Sequence, residues 1–153
     1  MSRAFVRDQD DSIEDVSDRP VSEHPNDVTE TGMAQIEAAL AEARAAHANA
    51  VALSDRPATA AAARDLRYWS ARRATARIVP ASTDLSRVRF GTTVSIIRND
   101  GREQTFRIVG EDEADPAKGS ISHVSPLARA MLGKGIGEVV RAGNDDAEII
   151  SIK

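Results

Sequence analysis

Four carboxylates stand within five residues at Glu111-Asp112-Glu113-Ala114-Asp115, the densest concentration of acid in the second half of the chain. Carboxylates this close could hold a divalent cation, but an EF-hand loop beginning at Glu111 needs glycine at its sixth position and glutamate at its twelfth. Pro116 and Ser122 occupy those places, so the run reads as a charged recognition loop. The histidines, His24, His47 and His123, fall in three different segments, and no serine or threonine is paired with one by spacing. With no cysteine in the chain, thiol catalysis, disulfides and thiolate-held metals are excluded. The glycines of Gly133-Lys-Gly-Ile-Gly137 follow a helical pattern instead of opening one, so they make a turn and not a phosphate cradle. None of these groups supports an enzyme with chemistry of its own or a resident cofactor.

The 153 residues leave room for one domain and an appendage. Hydrophobic residues are 41% and aromatics only 3%, so the core must rest on Val, Ile, Leu and Ala, without a flat aromatic pocket. The N-terminus turns acidic at once and lacks the apolar stretch of a signal peptide. No apolar run approaches the ~20 residues of a membrane span, so a cytoplasmic protein is expected. The net charge of −4 argues against direct wrapping of nucleic acid, but it conceals a partition. Residues 1–28 hold eight acids and three arginines, whereas residues 58–80 hold five arginines and only Asp65.

Residues 1–28 are poor in aliphatics and broken by Pro20 and Pro25, a composition that predicts a disordered acidic tail. Residues 29–80 predict an antiparallel helical hairpin. A threonine at 29 or 31 can cap the first helix, and Met33, Ile36, Leu40, Ala43, His47 and Ala50 recur at alternating spacings of three and four, a heptad seam. Pro57 stops that helix, and a second runs through Ala58–Arg77. Folding at residues 55–56 sets position i roughly against 111 − i, while Tyr68 and Trp69 lie on neighbouring stripes and leave the inward face open. The helix arginines either line up against an anionic partner or form a solvated face pairing with Glu37 and Glu42.

Past Pro80 the period changes from helix to strand. Val88–Arg98 and Glu103–Val109 flank the tight turn Asn99-Asp100-Gly101. A short strand at Ile121–Val124 precedes Ser125-Pro126, a cap and first-turn proline for a brief helix ended by Gly133. Two more strands surround Gly143-Asn144-Asp145. Residues 81–153 thus predict an antiparallel-leaning five-stranded sheet with one helix, and the whole chain is α+β.

Arg107-Ile-Val-Gly-Glu-Asp-Glu-Ala-Asp115, Ile121-Ser-His-Val-Ser-Pro-Leu-Ala-Arg129, Leu132-Gly-Lys-Gly135 and Phe90-Gly-Thr-Thr-Val-Ser95 together resemble the C-terminal domain of Gre transcription factors. The resemblance implies a helical hairpin followed by an FKBP-like sheet domain. It further implies a monomer that binds RNA polymerase at the secondary channel, touching nucleic acid only indirectly within the transcription complex. Carried over by position, the polymerase-binding surface comprises Asp112, Glu113, Ser125 and Pro126. Cleavage-stimulating members of the family carry two acids at the hairpin tip, which help hold a magnesium ion and a water. Here the tip reads Ser54-Asp55-Arg56-Pro57-Ala58-Thr59: Asp55 matches the first acid, and Ala58 replaces the second. The hairpin also looks a few turns shorter than theirs. The expectation is a channel-binding elongation regulator with weak or no stimulation of transcript cleavage. The alternatives are a true cleavage factor using Asp55, or an adaptor for another partner. The sheet offers only Phe90 and Phe106 as aromatics, too few for a prolyl-isomerase pocket.

Overall fold

The computed structural model describes residues 16–153. A short strand β1 (Asp27–Val28) leads into helix α1 (Glu30–Ala52), and helix α2 (Arg56–Thr75) returns antiparallel to it. Thr29 starts α1, its hydroxyl accepting from the Gly32 amide at 2.9 Å. Ile36, Leu40, Ala43 and Ala50 of the heptad seam are buried, with Met33 and His47 half-buried beside them. The register lies within one residue of expectation, since Arg73 Nε donates to Glu37 Oε1 at 3.1 Å. Two details differ at the tip. Pro57 belongs to the first turn of α2, where a missing amide costs nothing, so it begins the second helix as well as ending the first. The corner itself is turned by Ser54, which adopts a left-handed φ of 52°.

Strand β2 (Arg77–Ile78) follows α2 and pairs in parallel with β1, placing Asp27 opposite Arg77 and Val28 opposite Ile78. This pairing corrects the expectation of disorder through residue 28. Val28 is 3% exposed and Asn26 6%, and the Asn26 side chain donates to the Arg72 carbonyl at 2.8 Å and to Thr75 Oγ1 at 3.2 Å. The segment from residue 16 is ordered by partnered polar groups, which a tally of aliphatics does not count. Residues 1–15 of the expected tail lie outside the described residues.

The remaining strands, β3 (Thr93–Arg98), β4 (Glu103–Val109), β5 (Ser120–Ser122), β6 (Val139–Ala142) and β7 (Asp145–Ile152), form one sheet in the order β5-β4-β3-β7-β6. Helix α3 (Pro126–Met131) lies between β5 and β6 in the chain. Three ladders are antiparallel and β4·β5 is parallel, so the sheet is mixed while leaning as expected. The long first strand begins at Thr93 and not Val88, because Gly91 turns the chain at φ +85° and donates its amide to the Ile108 carbonyl. Val88 is nevertheless buried, joining Val94, Ile96, Ile108, Ala128, Met131 and Ile149 in an aliphatic core against which Phe90 and Phe106 pack. Each fully buried Ile there contributes about 1.5–3 kcal/mol of transfer free energy. Among the described residues no helix is long and apolar enough to cross a membrane.

Candidate functional site

The acidic loop between β4 and β5 does not project into solvent. It wedges against the root of the hairpin, and Arg72 of α2 stands at the centre of the contact. Arg72 is 1% exposed, the largest fully buried side chain among the described residues. Its Nε donates to Asp112 Oδ2 at 2.6 Å, and its Nη2 donates to Asn26 Oδ1 at 2.7 Å and lies 3.6 Å from Glu111 Oε2. Burying a guanidinium costs several kcal/mol unless charge and hydrogen bonds are both met, and here carboxylates and an amide meet them. One side chain therefore ties the N-terminal segment, the hairpin and the sheet domain together.

The second oxygen of Asp112 accepts from the Tyr68 hydroxyl, one helical turn before Arg72. Burial, helped by this bond to an anion, pushes the Tyr68 phenol up to about 12. The Arg19 guanidinium lies 3.8 Å above the Tyr68 ring and 5.4 Å from that of Trp69, and the two rings meet edge to face at 4.9 Å. This cover settles where the helix aromatics go: both are half-buried beneath the N-terminal segment. Glu113 accepts from the Thr29 hydroxyl, the same oxygen that caps α1. Gly32 gives it room, as a Cβ there would stand 2.7 Å from Glu113 Oε1. Gly110 does the same for the backbone, since a Cβ would lie 2.6 Å from the Asp27 carbonyl oxygen.

Asp112 and Glu113 are thus brought together at the hairpin root, both engaged within the chain. Asp112 retains 10% of its side-chain exposure. Ser125 and Pro126 follow β5, which pairs with the end of β4, so they share this edge of the sheet. Ser125 caps α3, accepting from the Ala128 amide at 3.4 Å, and Pro126 is exposed in its first turn. Asp55 stands apart, seventeen residues along α2 from Arg72, or about 25 Å at the helical rise. It is exposed at the tip and caps α2, accepting from the Ala58 amide at 3.1 Å. Of the next acids, Asp65 is paired with Arg19 at 3.3 Å and with Arg64 at 3.6 Å.

His123 sits at the same edge, 5.4 Å from Phe90 and edge-on to it. Burial holds its pKa below the ordinary value, outweighing Asp27 and Glu111, which pull the other way. Among the described residues no group of three or more acids, histidines or cysteines is arranged to hold a metal ion. Sequence reasoning missed Arg72, Tyr68, Asn26 and Arg19 as parts of this site. The one local signal was the Tyr68–Arg72 spacing of four, which sets both on a single helix face.

The family model described as the C-terminal part of transcription elongation factor GreA/GreB matches residues 82–153. Transcription elongation factor GreA of Methylobacterium nodulans is 46% identical over 72 residues, covering 44% of this chain and 46% of its own length. GreB of Neisseria meningitidis serogroup B is 46% identical over 68 residues, covering 42% of each chain. The chain therefore spans less than half the length of these curated relatives in the matched region. Among solved structures, a GreA/GreB factor from Nitrosomonas europaea aligns with a TM-score of 0.42 at 18% identity, covering 82% of this chain and 97% of its own. Residues 82–153, the sheet domain, are thus similar to the C-terminal domain of the GreA/GreB factors.

Proposed function

We propose that the protein is a transcription elongation regulator that binds RNA polymerase at the secondary channel, with weak or no stimulation of transcript cleavage. The observation that carries the second half is the tip. A site for catalytic magnesium needs paired carboxylates, because one alone leaves the ion weakly held and poorly oriented. Asp55 has no acid beside it in the turn, and its carboxylate already caps a helix. The first half is supported by the match of residues 82–153 to the domain of named elongation factors. On this reading the protein acts as a cytoplasmic monomer, has no catalysis of its own, and meets nucleic acid only inside the transcription complex.

The engagement of Asp112 and Glu113 shifts their part in docking. They fix the angle between hairpin and sheet, and the exposed corner at Ser125-Pro126 offers the contact. Fluorescence anisotropy with core RNA polymerase tests this directly. Saturable binding is expected, weakened at least tenfold (about 1.4 kcal/mol) by Pro126→Asp. Aspartate is well tolerated in a first helical turn, so this variant changes the surface and not the fold. An absence of binding at micromolar concentration would leave the family match without its partner. A second reading, a cleavage factor using Asp55, is favoured by one observation, the exposure of that carboxylate at the apex. Transcript cleavage in backtracked complexes that is stimulated by the protein and lost in Asp55→Ala would establish it.

A further inference from the structure

Three side chains on one face of α2, Asp65, Tyr68 and Trp69, surround the guanidinium of Arg19. Their spacings of three and four residues make them neighbours on the helix. The cation lies 3.8 Å over the Tyr68 ring and 5.4 Å from that of Trp69, and its Nη1 donates to Asp65 Oδ1 at 3.3 Å. A carboxylate combined with aromatic faces is a seat suited to a planar guanidinium. Its walls are set by contacts that do not involve Arg19: Asp112 holds the Tyr68 hydroxyl, and Trp69 meets the Tyr68 ring edge to face at 81°. Beside the seat Arg67 offers a place for an anion, filled by Asp18, which accepts from its Nε at 2.8 Å.

The segment that fills both places is lightly held. Among the described residues, its backbone bonds to the body of the protein begin at Asn26, whose carbonyl accepts from the Arg77 amide at 2.9 Å. Of residues 20–25, which lead from Arg19 to that anchor, all but Ser22 are exposed. The ion pair beside the seat is open to water as well, with the side chains of Asp18 and Arg67 68% and 55% exposed. Pairs of this kind add little to stability. A segment with few buried apolar contacts and solvent-facing polar ones opens at low cost in free energy.

We infer that the Asp65–Tyr68–Trp69 face is an arginine-binding site, occupied here by the chain's own Arg19 and opened to a partner protein when residues 16–25 swing away about Asn26. The segment is a template for what the partner presents. It is an extended stretch with an arginine directly after a carboxylate, the arginine for the aromatic seat and the acid for Arg67. The short tether gives Arg19 an effective concentration in the millimolar range, so a partner must bind more tightly than a free copy of the segment to displace it. Arg19 is thus a built-in competitor that sets a threshold for entry. This site lies apart from the proposed docking corner at Ser125-Pro126, and its argument does not depend on polymerase binding.

Trp69 is the only tryptophan in the chain, so its fluorescence reports on the site in the full chain. The probe is a peptide of residues 16–25, which contains neither tryptophan nor tyrosine. In Arg19→Ala, where the seat is vacated, the peptide should change Trp69 emission saturably, with half-saturation in the millimolar range that the tether implies. The native chain should need at least fivefold more peptide, because its own Arg19 competes. The same peptide with Arg19→Gln should leave the emission unchanged, and Asp65→Asn added to Arg19→Ala should weaken the original peptide about threefold. No saturable change in Arg19→Ala over that range overturns the inference. So does equal half-saturation in the native chain, or saturable binding of the altered peptide. No polymerase is present in this measurement, so its failure and a failure to bind polymerase are separate results.

Discussion

The two ends of the hairpin carry similar residue types and use them in opposite ways. At the root, Arg72 is buried and Asp112 half-buried, and the two are hydrogen-bonded to each other across 40 residues of chain. At the tip, Asp55 is exposed, and its carboxylate caps a helix. Charge at the root is architecture, and the Asp55 carboxylate at the tip faces solvent. What separates them is the water excluded by the sheet domain: the same ion pair is strongly coupled when dry and nearly neutral to stability when wet.

The sharpest way to break this contrast is to remove the root cation. Arg72→Ala removes a buried cation and leaves the half-buried Asp112 without it, and should cost about 3–5 kcal/mol, read as a lowered urea midpoint. The control is Arg73→Ala, one residue on and exposed at 44% of its side chain, which pairs with Glu37 and should cost roughly 0.2–1 kcal/mol. Equal effects would erase the distinction between the two kinds of charge. The root can also be read by titration, since Tyr68 is the only tyrosine in the chain. Its absorbance change should come near pH 12 in the native protein and fall toward 10 in Asp112→Asn. At the tip, Asp55→Ala removes a cap and should cost about 0.5–2 kcal/mol while leaving the Tyr68 titration unmoved.

The smallest effect concerns His123 at the sheet edge. Its folded pKa is lowered from 6.5, so the unfolded chain binds the proton more readily. The neutral ring's contribution is present above the unfolded pKa and is lost as pH falls through the folded value. Between pH 7 and pH 5.5 the melting temperature should drop less in His123→Gln than in the native chain. A drop of the same size in both would show that the histidine has no share in the acid sensitivity.

Much of the scaffold was legible because its signals are local. The seam from Met33 to Ala50, the cap at Thr29, the Asn99-Asp100-Gly101 turn and the Ser125-Pro126 corner each declare themselves within a few residues. The resemblance around Arg107–Asp115 pointed to the same family whose model matches residues 82–153. The root joint was not legible. Its members, Arg19, Asn26, Tyr68, Arg72 and Asp112, come from three distant stretches, and no period connects them. Arg72 sits in a helix whose other arginines are solvated, so composition gave it the same role as its neighbours. Likewise the acidic loop has the look of a recognition element until α2 and Thr29 are set against it. The N-terminal segment misled for a related reason: too few aliphatics to order it, yet enough hydrogen-bonding partners on α2 to do so.

The joint at Arg72 is also the fulcrum of a lever. With the tip seventeen residues from Arg72, about 25 Å at the helical rise, a rotation of only ~10° at the root sweeps it through about 4 Å. Positional accuracy at the far end is therefore set by angular stiffness at the near end. A substitution that merely loosens Asp112 or Glu113 would blur where Asp55 arrives, without touching the residue that arrives there.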